Sequence, residues 1–145
     1  MRTATEWLHQ RGATRVVAIN WGIWNEVGMA AEAVAALDDG VLDALSELNA
    51  EIHGVYGNND IGEKPGLEKA AERNGMSFHD GPLELEWAGR KIVVVHDPRD
   101  LEGVLAPHHD LALHGHTHLH RLEEVGSSVV FNPGECAGSL KGHNR

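Results

Sequence analysis

Short runs of apolar and β-branched residues recur along the chain and predict the strands of a β-sheet. Residues 83–87 alternate apolar and polar side chains with period two, which is typical of a half-buried strand. Ala88-Gly89 then predicts a hairpin turn, and the apolar run that follows at 91–96 indicates a strand covered on both faces. Further strands are predicted at 15–19, 52–56, 76–79, 110–113, 122–125 and 129–131.

Helices are predicted between several of these strands. Residues 41–49 carry apolar side chains at helical spacing, and residues 67–74 form a second such segment that Gly75 ends. Other helical segments are predicted at 4–11, at 29–37 and, as one or two turns, at 101–105. The mixture of helix–strand alternation with hairpins predicts an α/β (α+β) fold, in which residues 1–145 form a single domain with helices covering sheet.

The composition excludes several classes of partner. The chain carries 12 Lys and Arg against 22 Asp and Glu, which gives a formal net charge of −10. It therefore lacks the basic face that duplex nucleic acid or an anionic membrane surface requires. Cys136 is the single cysteine, so an internal disulfide framework is excluded and a reducing compartment is favoured. Without a long apolar run or the apolar core of a signal peptide, the protein is expected to be cytoplasmic.

Three polar clusters each follow a predicted strand. They are Asn58-Asn59-Asp60, His96-Asp97 and His116-Thr117-His118. Because ligands collect beyond the carboxyl ends of strands in open α/β sheets, we expect these three loops to share one site. The chain contains 11 histidines, and histidine is a frequent metal ligand, so the groups in this shared site are competent to bind a metal.

His116 and His118 carry the most information about metal chemistry. In an extended segment, residues i and i+2 point to the same side and lie roughly 6.6 Å apart. Two imidazoles placed in this way can bind one metal, or each can serve one of two adjacent metals. On composition alone the alternative stays open that both histidines belong to an ordinary polar loop of a histidine-rich chain.

The other clusters also have ordinary structural interpretations. Asn58 by itself is typical of a turn, since asparagine readily enters left-handed conformations. His96 by itself is typical of a hydrogen-bonded histidine at the end of a strand. Asp60 and Asp97 are expected to be solvated loop carboxylates.

The order of these clusters resembles that of the calcineurin-like metallophosphoesterases. Gly57-Asn58-Asn59-Asp60 comes first, followed by a strand ending in His96, by Gly115-His116-Thr117-His118 and by Asn132-Pro133-Gly134. The likeness is greatest to the small archaeal and bacterial phosphodiesterase branch. It covers about residues 41–140 and extends more weakly to residues 7–19. The combined order is specific, whereas no single piece of it is.

The resemblance implies a four-layer αββα sandwich, in which helices flank two mixed sheets and two metals lie at the strand ends. Carried over by position, it implies that Asn58, His96 and His116 bind one metal and that His118 binds the other. Asn59 stands at the catalytic position where the family has a loop histidine that protonates leaving groups. The implied substrates are therefore small phosphodiesters with good leaving groups. Mn²⁺ is the expected metal, with Ni²⁺ or Zn²⁺ as alternatives.

Two metal-binding motifs of the family have no counterpart in this sequence. The family opens on a strand carrying Asp-x-His, which does not occur in residues 1–40, and residues 20–23 lack the acid of its Gly-Asp motif. Relative to the family, the first strand is therefore expected to be missing. The C-terminal end is expected to be missing as well, since the final strands are cut short after Lys141. Neutral ligands hold two neighbouring divalent cations poorly, so we expect a single metal on Asn58, His96 and His116.

The expected function is hydrolysis of a phosphoester, as a phosphodiesterase, through a metal-activated water and with activity weakened by the missing ligands. Two alternatives stay open. In the first alternative, the chain is a non-catalytic scaffold. The retromer scaffold subunit resembles this fold and uses it to bind partners, and the candidate contact surface here would be Trp21 and Trp24. Otherwise it is an inactive truncated remnant, in which case the neighbouring coding DNA contains the missing motifs.

Overall fold

The described part of the chain folds into two β-sheets with two short helices. The computed structural model describes residues 15–18 and 51–134. The first sheet contains β1 (Arg15–Ala18), β2 (Glu51–Val55) and β3 (Ser77–His79), and the second contains β4 (Leu83–Trp87), β5 (Arg90–Val94), β6 (Leu111–Leu113), β7 (Arg121–Val125) and β8 (Ser128–Asn132). The helices are α1 (Lys64–Arg73) and a 3-10 helix (Pro98–Leu101). Neither of these helices is long and apolar enough to cross a membrane.

The strand order brings several carboxyl ends to the same sheet edge. The first sheet is parallel, in the order β1-β2-β3. The second has the order β4-β5-β6-β8-β7, in which β5, β6 and β8 run parallel while β4 and β7 are antiparallel to their neighbours. Ile92 of β5 pairs with Leu111 of β6, so the loops after these two strands begin side by side.

The two sheets and α1 form three successive layers. Helix α1 covers one face of the first sheet, where Leu67 and Ala71 pack in one cluster with Ile52 of β2. Val55, which is fully buried, packs with Val94 of β5 in a second cluster that joins the two sheets. Each sheet therefore buries an apolar face against its neighbour, which is the main source of stability in a layered fold.

The outer face of the second sheet is covered by the 3-10 helix and the loop after it. Leu101 and the half-buried Leu105 pack there with Val93 and Val130. Val93 and Val94 lie on opposite faces of β5 and both are fully buried, which confirms the prediction of a strand covered on both faces. The described residues thus give the α/β sandwich that the resemblance implies, with a 3-10 helix in the fourth layer.

The predicted strands are confirmed within about two residues, and the differences lie at element ends. β5 ends two residues before His96, which places that histidine in the following loop. Helix α1 begins at Lys64, three residues earlier than predicted, because Pro65 suits a first helical turn. The helical turn predicted at 101–105 is present, since Leu105 N donates to Leu101 O at 2.9 Å, and it is preceded by the 3-10 helix Pro98–Leu101.

Several predictions concern residues outside the described ranges. They include the helices at 4–11, 29–37 and 41–49, and the side chains of Trp21, Trp24 and Cys136. The expectations about the family's first strand and C-terminal end also stay predictions.

The hairpin predicted at Ala88-Gly89 is confirmed. β4 and β5 pair antiparallel from Leu83↔Val94 to Trp87↔Arg90. The two turn residues have φ angles of 51° and 72°. Left-handed backbone at both positions is what a two-residue turn of type I′ requires, and it suits glycine far better than any other residue.

Replacing Gly89 with alanine is therefore expected to lower the free energy of unfolding by about 1–2 kcal/mol, because an added side chain is strained in the left-handed region. Gly66→Ala is the matched control. Gly66 lies in α1, and a Cβ there meets nothing within 4 Å, so this variant is expected to be about 0.5–1 kcal/mol more stable. Urea unfolding measures both changes, and effects of the same sign would contradict this account of the turn.

Candidate metal centre

Three loops that leave the carboxyl ends of β2, β5 and β6 converge on one cluster of polar side chains. His96 Nε2 lies 2.7 Å from Asn58 Oδ1. His116 Nδ1 lies 3.3 Å from Asn58 Oδ1 and 3.1 Å from His96 Nε2. The two imidazole rings meet edge to face, with their centroids 5.0 Å apart. The structure therefore brings together the three side chains that the resemblance implies for one metal.

The turn that presents Asn58 is held by a buried carboxylate. Asp60 is 2% exposed, and its Oδ2 accepts a hydrogen bond from Gly57 N at 2.5 Å. Asp60 N donates to Gly57 O at 3.2 Å, which closes the turn around Asn58 and Asn59. The prediction of a solvated carboxylate at Asp60 is wrong, because the backbone of its own loop donates to it in place of water.

The ring of His96 packs directly against the backbone of Gly57. A Cβ atom at position 57 would lie 2.8 Å from Cε1 of His96, 3.0 Å from Nδ1 and 3.3 Å from Nε2. Carbon atoms in favourable contact are about 3.5–4.0 Å apart, so only glycine leaves room for the ring in this position. The sequence gives no separate signal for this role, because Gly57 there is simply one of several turn residues.

The segment after β6 is a turn rather than an extended strand. His116 and His118 have φ angles of 62° and 60°, and Thr117 N donates to Gly115 O at 2.7 Å. The prediction that His116 and His118 project to the same side of an extended segment is therefore wrong. The loop is tied to the loop that follows β5, where Gly115 N donates to His96 O at 3.0 Å, and the backbone leaves the strand geometry directly after this bond.

Asn132, at the end of β8, also holds this turn. Its side chain is buried, with 1% exposure of the residue. Nδ2 donates to Gly115 O and to Thr117 Oγ1, each at 3.0 Å, while Oδ1 accepts from Gly134 N at 2.9 Å. Asn132 therefore fixes the loop that carries His116. The sequence contains a signal for this role, since Asn132 belongs to the last element of the family resemblance.

Asp97 approaches the ring of His116 at Nε2. One carboxylate oxygen lies 3.5 Å from that nitrogen and accepts from Arg99 Nε at 2.9 Å, while the other accepts from Arg99 N at 2.9 Å. The hydrogen bonds from the Arg99 side chain are the main reason that the pKa of Asp97 lies well below its usual range.

The prediction of a solvated carboxylate at Asp97 is also wrong, because its side chain is only 14% exposed. Asp97 is the N-cap of the 3-10 helix, and its carboxylate accepts from the backbone of Arg99. An Asp followed directly by Pro98 is a signal for such a cap, so the sequence could have indicated this role.

His114, which is 1% exposed, precedes the turn. Its Nδ1 lies 3.0 Å from Gly115 O, an acceptor, so the proton of the neutral ring belongs on Nδ1. Burial lowers the pKa of His114, because transfer out of water disfavours the charged ring. A neutral His114 adds no positive charge beside the cluster.

Asn59 orients the amide of Asn58. Asn58 Nδ2 donates to Asn59 Oδ1 at 2.9 Å, which leaves Oδ1 of Asn58 to face His96 and His116. Asn59 is exposed, and His118 lies half-buried two residues beyond His116. The roles of Asn59 as a catalytic residue and of His118 as ligand to a second metal stay predictions.

A cleft of about 750 Å³ opens beside the cluster. Asn58, His96 and His116 line it together with Tyr56, Asp80 and Arg99. Burial is the main cause that raises the pKa of the Tyr56 hydroxyl, so this group stays neutral in the cleft wall. Pockets for small molecules usually measure about 300–1,000 Å³, so this cleft has the size of a small-substrate site.

The three converging atoms fit a single divalent cation. Two ligand atoms about 2.1 Å from an ion lie roughly 3.0–3.4 Å from each other at octahedral and tetrahedral angles. The two separations that involve His116, 3.1 and 3.3 Å, lie in this range, and the third, between His96 Nε2 and Asn58 Oδ1, is shorter at 2.7 Å. An amide oxygen and two imidazole nitrogens are donors that Mn²⁺, Ni²⁺ and Zn²⁺ accept.

A second group of metal-competent side chains consists of Glu84, His108 and His109, whose ligand atoms lie within 4.8 Å of one another. Nδ1 of the buried His109 accepts a hydrogen bond from Ala106 N at 3.0 Å. A neutral imidazole that accepts at Nδ1 carries its proton on Nε2, the nitrogen that faces Glu84 at 3.6 Å. Metal binding at Nε2 requires loss of that hydrogen bond or that proton, so this group fits a cation less well.

Comparison with known protein families supports a metal site at the cluster of Asn58, His96 and His116. The sequence profile of the calcineurin-like phosphoesterase superfamily domain matches residues 22–145, which contain the whole cluster. The chain belongs to this superfamily. Calcineurin-like phosphoesterases are metal-dependent, so membership accounts for three ligand-type side chains at one cleft.

A curated protein and a solved structure that match this chain are both described as phosphodiesterases. Phosphodiesterase MJ0936 from Methanocaldococcus jannaschii is 35% identical over 106 residues, which are 70% of this chain and 63% of the relative. A solved structure of a novel archaeal phosphodiesterase is 33% identical with a TM-score of 0.62, covering 71% of this chain and 64% of that one. These matches support the small archaeal branch. The chain spans somewhat less than two thirds of the length of each.

A more distant likeness concerns the fold alone. Vps29 from Entamoeba histolytica, solved in complex with Zn²⁺, is 17% identical with a TM-score of 0.50. The match covers 84% of this chain and 75% of that one. The calcineurin-like architecture is thus shared well beyond the range of close sequence similarity.

Proposed function

We propose that this calcineurin-like protein is a metal-dependent phosphodiesterase acting on a small phosphoester. The observation that carries the proposal is the convergence of Asn58, His96 and His116 at a cleft of substrate size. Membership in the superfamily supports the reaction class, as does likeness to a curated protein and to a solved structure that are both described as phosphodiesterases.

In this proposal, Asn58 Oδ1, His96 Nε2 and His116 Nδ1 hold one divalent cation. The cation is Mn²⁺, with Ni²⁺ and Zn²⁺ as alternatives, and when bound it supplies a water of lowered pKa and positive charge for the phosphoryl oxygens. The three donors are neutral, whereas two cations about 3.5–4 Å apart need anionic ligands between them. A single cation on these donors is therefore favoured, and His118 is the proposed ligand wherever a second one binds.

The loop chemistry favours diesters with good leaving groups. Asn59 is the proposed catalytic residue of the loop, and its contact with Asn58 supports a role in orienting that amide. An amide does not protonate a leaving group as an imidazolium does, so this loop provides no general acid for a substrate with a poor leaving group. Activated aryl diesters are accordingly the substrates of choice for a first assay.

The composition supports the proposed setting. With a net charge of −10, the protein is poorly suited to bind duplex nucleic acid, and a small phosphoester is the proposed substrate. A single cysteine suits a reducing compartment, so we place the protein in the cytoplasm.

Hydrolysis of bis(p-nitrophenyl) phosphate by the full chain tests the proposed function. We expect turnover that depends on added Mn²⁺ or Ni²⁺ and that is faster than turnover of the monoester p-nitrophenyl phosphate. His116→Ala lacks one of the three donors and is the control, expected at the background rate. Metal-loaded protein that hydrolyses the diester no faster than His116→Ala would exclude this activity for the chain.

The contact between Asn58 and Asn59 gives a separate prediction. Replacing Asn59 with alanine is expected to weaken Mn²⁺ binding about fivefold, because the lost hydrogen bond contributes about 1 kcal/mol to fixing the Asn58 amide. Asn59→Asp keeps an acceptor and is expected to bind Mn²⁺ at least as tightly as the unchanged chain. Isothermal titration calorimetry measures both, and equal weakening in the two variants would mean that the hydrogen-bond acceptor at position 59 does not set the Mn²⁺ affinity.

A further inference from the structure

The ring of His116 is contacted at both of its nitrogen atoms. Nδ1 faces the cluster, 3.3 Å from Asn58 Oδ1 and 3.1 Å from His96 Nε2. Nε2 faces the carboxylate of Asp97, whose Oδ2 lies 3.5 Å away. A neutral imidazole has one N–H and one lone pair, so these two environments decide which nitrogen carries the proton.

The environment of Nε2 is the stronger attraction for that proton. Asp97 presents a carboxylate to Nε2 across 3.5 Å, and its negative charge attracts an N–H at that nitrogen through an electrostatic contact rather than a hydrogen bond. On the other side, Asn58 Oδ1 has a nearer potential donor in His96 Nε2, at 2.7 Å compared with 3.3 Å for His116 Nδ1. A lone pair on Nε2 would also face the negative charge of Asp97 directly. The proton of His116 therefore belongs on Nε2.

The carboxylate of Asp97 is held in place independently of His116. Arg99 donates to it from its backbone N and from its side chain, and Asp97 caps the 3-10 helix that begins at Pro98. Its side chain is 14% exposed, so the carboxylate has little room to rotate away. A fixed negative charge at this position acts on the orientation of the ring as well as on the position of its proton.

We propose that Asp97 is a positioning residue that keeps the proton of His116 on Nε2 and so presents the Nδ1 lone pair toward Asn58 and His96. This inference rests on the proposed function, since it assigns Nδ1 as the atom that holds the cation. Metal-binding histidines commonly donate their other ring N–H to a carboxylate in this way. Removal of the carboxylate is expected to change the tautomer first and the metal affinity as a consequence.

Long-range proton–nitrogen correlation spectra of the nitrogen-15-labelled full chain report the tautomer directly. They are recorded without metal, at a pH well above the ordinary histidine pKa of about 6.5. In the unchanged protein, His116 is expected with its proton on Nε2. In Asp97→Asn, an amide N–H can donate to Nε2, and the proton is expected to move to Nδ1 in a substantial fraction of molecules. A spectrum of the unchanged protein with the proton on Nδ1 would overturn the proposal.

Asp100→Asn is the matched control for Asp97→Asn. Asp100 is an exposed residue of the same 3-10 helix, and the substitution removes the same charge. Calorimetry with Mn²⁺ alone is expected to show binding weakened about 10–100-fold in Asp97→Asn, the range found for other partners of metal ligands. Asp100→Asn is expected to bind within about twofold of the unchanged protein and to keep the tautomer.

The two readouts separate this inference from the proposed function. An unchanged tautomer and unchanged Mn²⁺ affinity in Asp97→Asn would overturn the positioning role, even if the protein hydrolyses phosphodiesters. The expected tautomer and affinity changes in a protein without hydrolytic activity would support the positioning role and contradict the proposed function. Equal weakening of Mn²⁺ binding in Asp97→Asn and Asp100→Asn, with the tautomer unchanged, would mean that only the loss of a negative charge matters. This result would also overturn the positioning role.

Discussion

Mn²⁺ binding by the full chain is expected to weaken at least about 100-fold when His96 is replaced with alanine, and phosphodiester hydrolysis is expected to fall to background. His96 Nε2 lies within 3.1 Å of the donor atoms of both Asn58 and His116, so its loss leaves two neutral ligands. Substitution of residues that only support metal ligands typically costs about 10–100-fold in affinity, and loss of a ligand itself is expected to cost more.

His120→Ala is the matched control for this substitution. His120 is an exposed histidine that follows the same loop, and its ring lies against Phe131 rather than in the cluster. It is expected to keep Mn²⁺ affinity within about twofold, measured by calorimetry beside His96→Ala. Similar affinities for the two variants would mean that the cation binds elsewhere.

Replacing Gly57 with alanine is expected to weaken Mn²⁺ binding about 10–100-fold although it removes no ligand. The new Cβ would lie 2.8 Å from Cε1 of His96, so the ring must shift away from the cluster. If Nε2 of His96 moves by even 1 Å, its distances to the donor atoms of Asn58 and His116 no longer match those between ligands of a single ion. Calorimetry with Mn²⁺ and the hydrolysis assay measure the effect.

Gly62→Ala makes the same change five residues later in the chain. A Cβ at Gly62 meets nothing within 4 Å, so this variant is expected to bind Mn²⁺ as the unchanged protein does. Urea unfolding of both variants shows whether the fold persists. If Gly57→Ala folds and binds Mn²⁺ with normal affinity, the close approach of His96 to Gly57 has no bearing on metal binding.

Local patterns were sufficient to predict most elements of the described fold. The period of the side chains predicts the strand at 83–87, and the backbone preference of two residues predicts the Ala88-Gly89 turn. Both predictions are confirmed. The burial of β5 on both faces also followed from an uninterrupted apolar run. Element ends were less certain, because the start of α1 depends on the tolerance of a first turn for Pro65 rather than on its apolar stripe.

The convergence of Asn58, His96 and His116 was also within reach of the sequence. Polar residues that follow buried strands meet where parallel strands end, and the distances of 2.7–3.3 Å among these three side chains confirm that they do. The expectation that His116 and His118 sit in an extended segment failed, because the backbone turns after Gly115, where hydrogen bonds from Gly115 to His96 and from Asn132 to Gly115 hold the loop.

The surroundings of the cluster could be predicted only in part. Asp60 and Asp97 both looked like solvated carboxylates, yet each accepts hydrogen bonds from its own loop. The cap formed by Asp97 has a local signature, but its approach to His116 joins two loops that are distant in the chain. The role of Gly57 depends on where the His96 ring comes to lie, and no local pattern contains that information.

One divalent cation is proposed to bind between Asn58 Oδ1, His96 Nε2 and His116 Nδ1. Anomalous diffraction from crystals of the full chain grown with Mn²⁺ is the most direct test of this site. An anomalous peak is expected in contact with all three atoms and is expected to disappear in His96→Ala crystals. A peak at Glu84 and His109 with none at the three-residue cluster, or a cluster that stays without Mn²⁺ at saturating concentration, would contradict the claim.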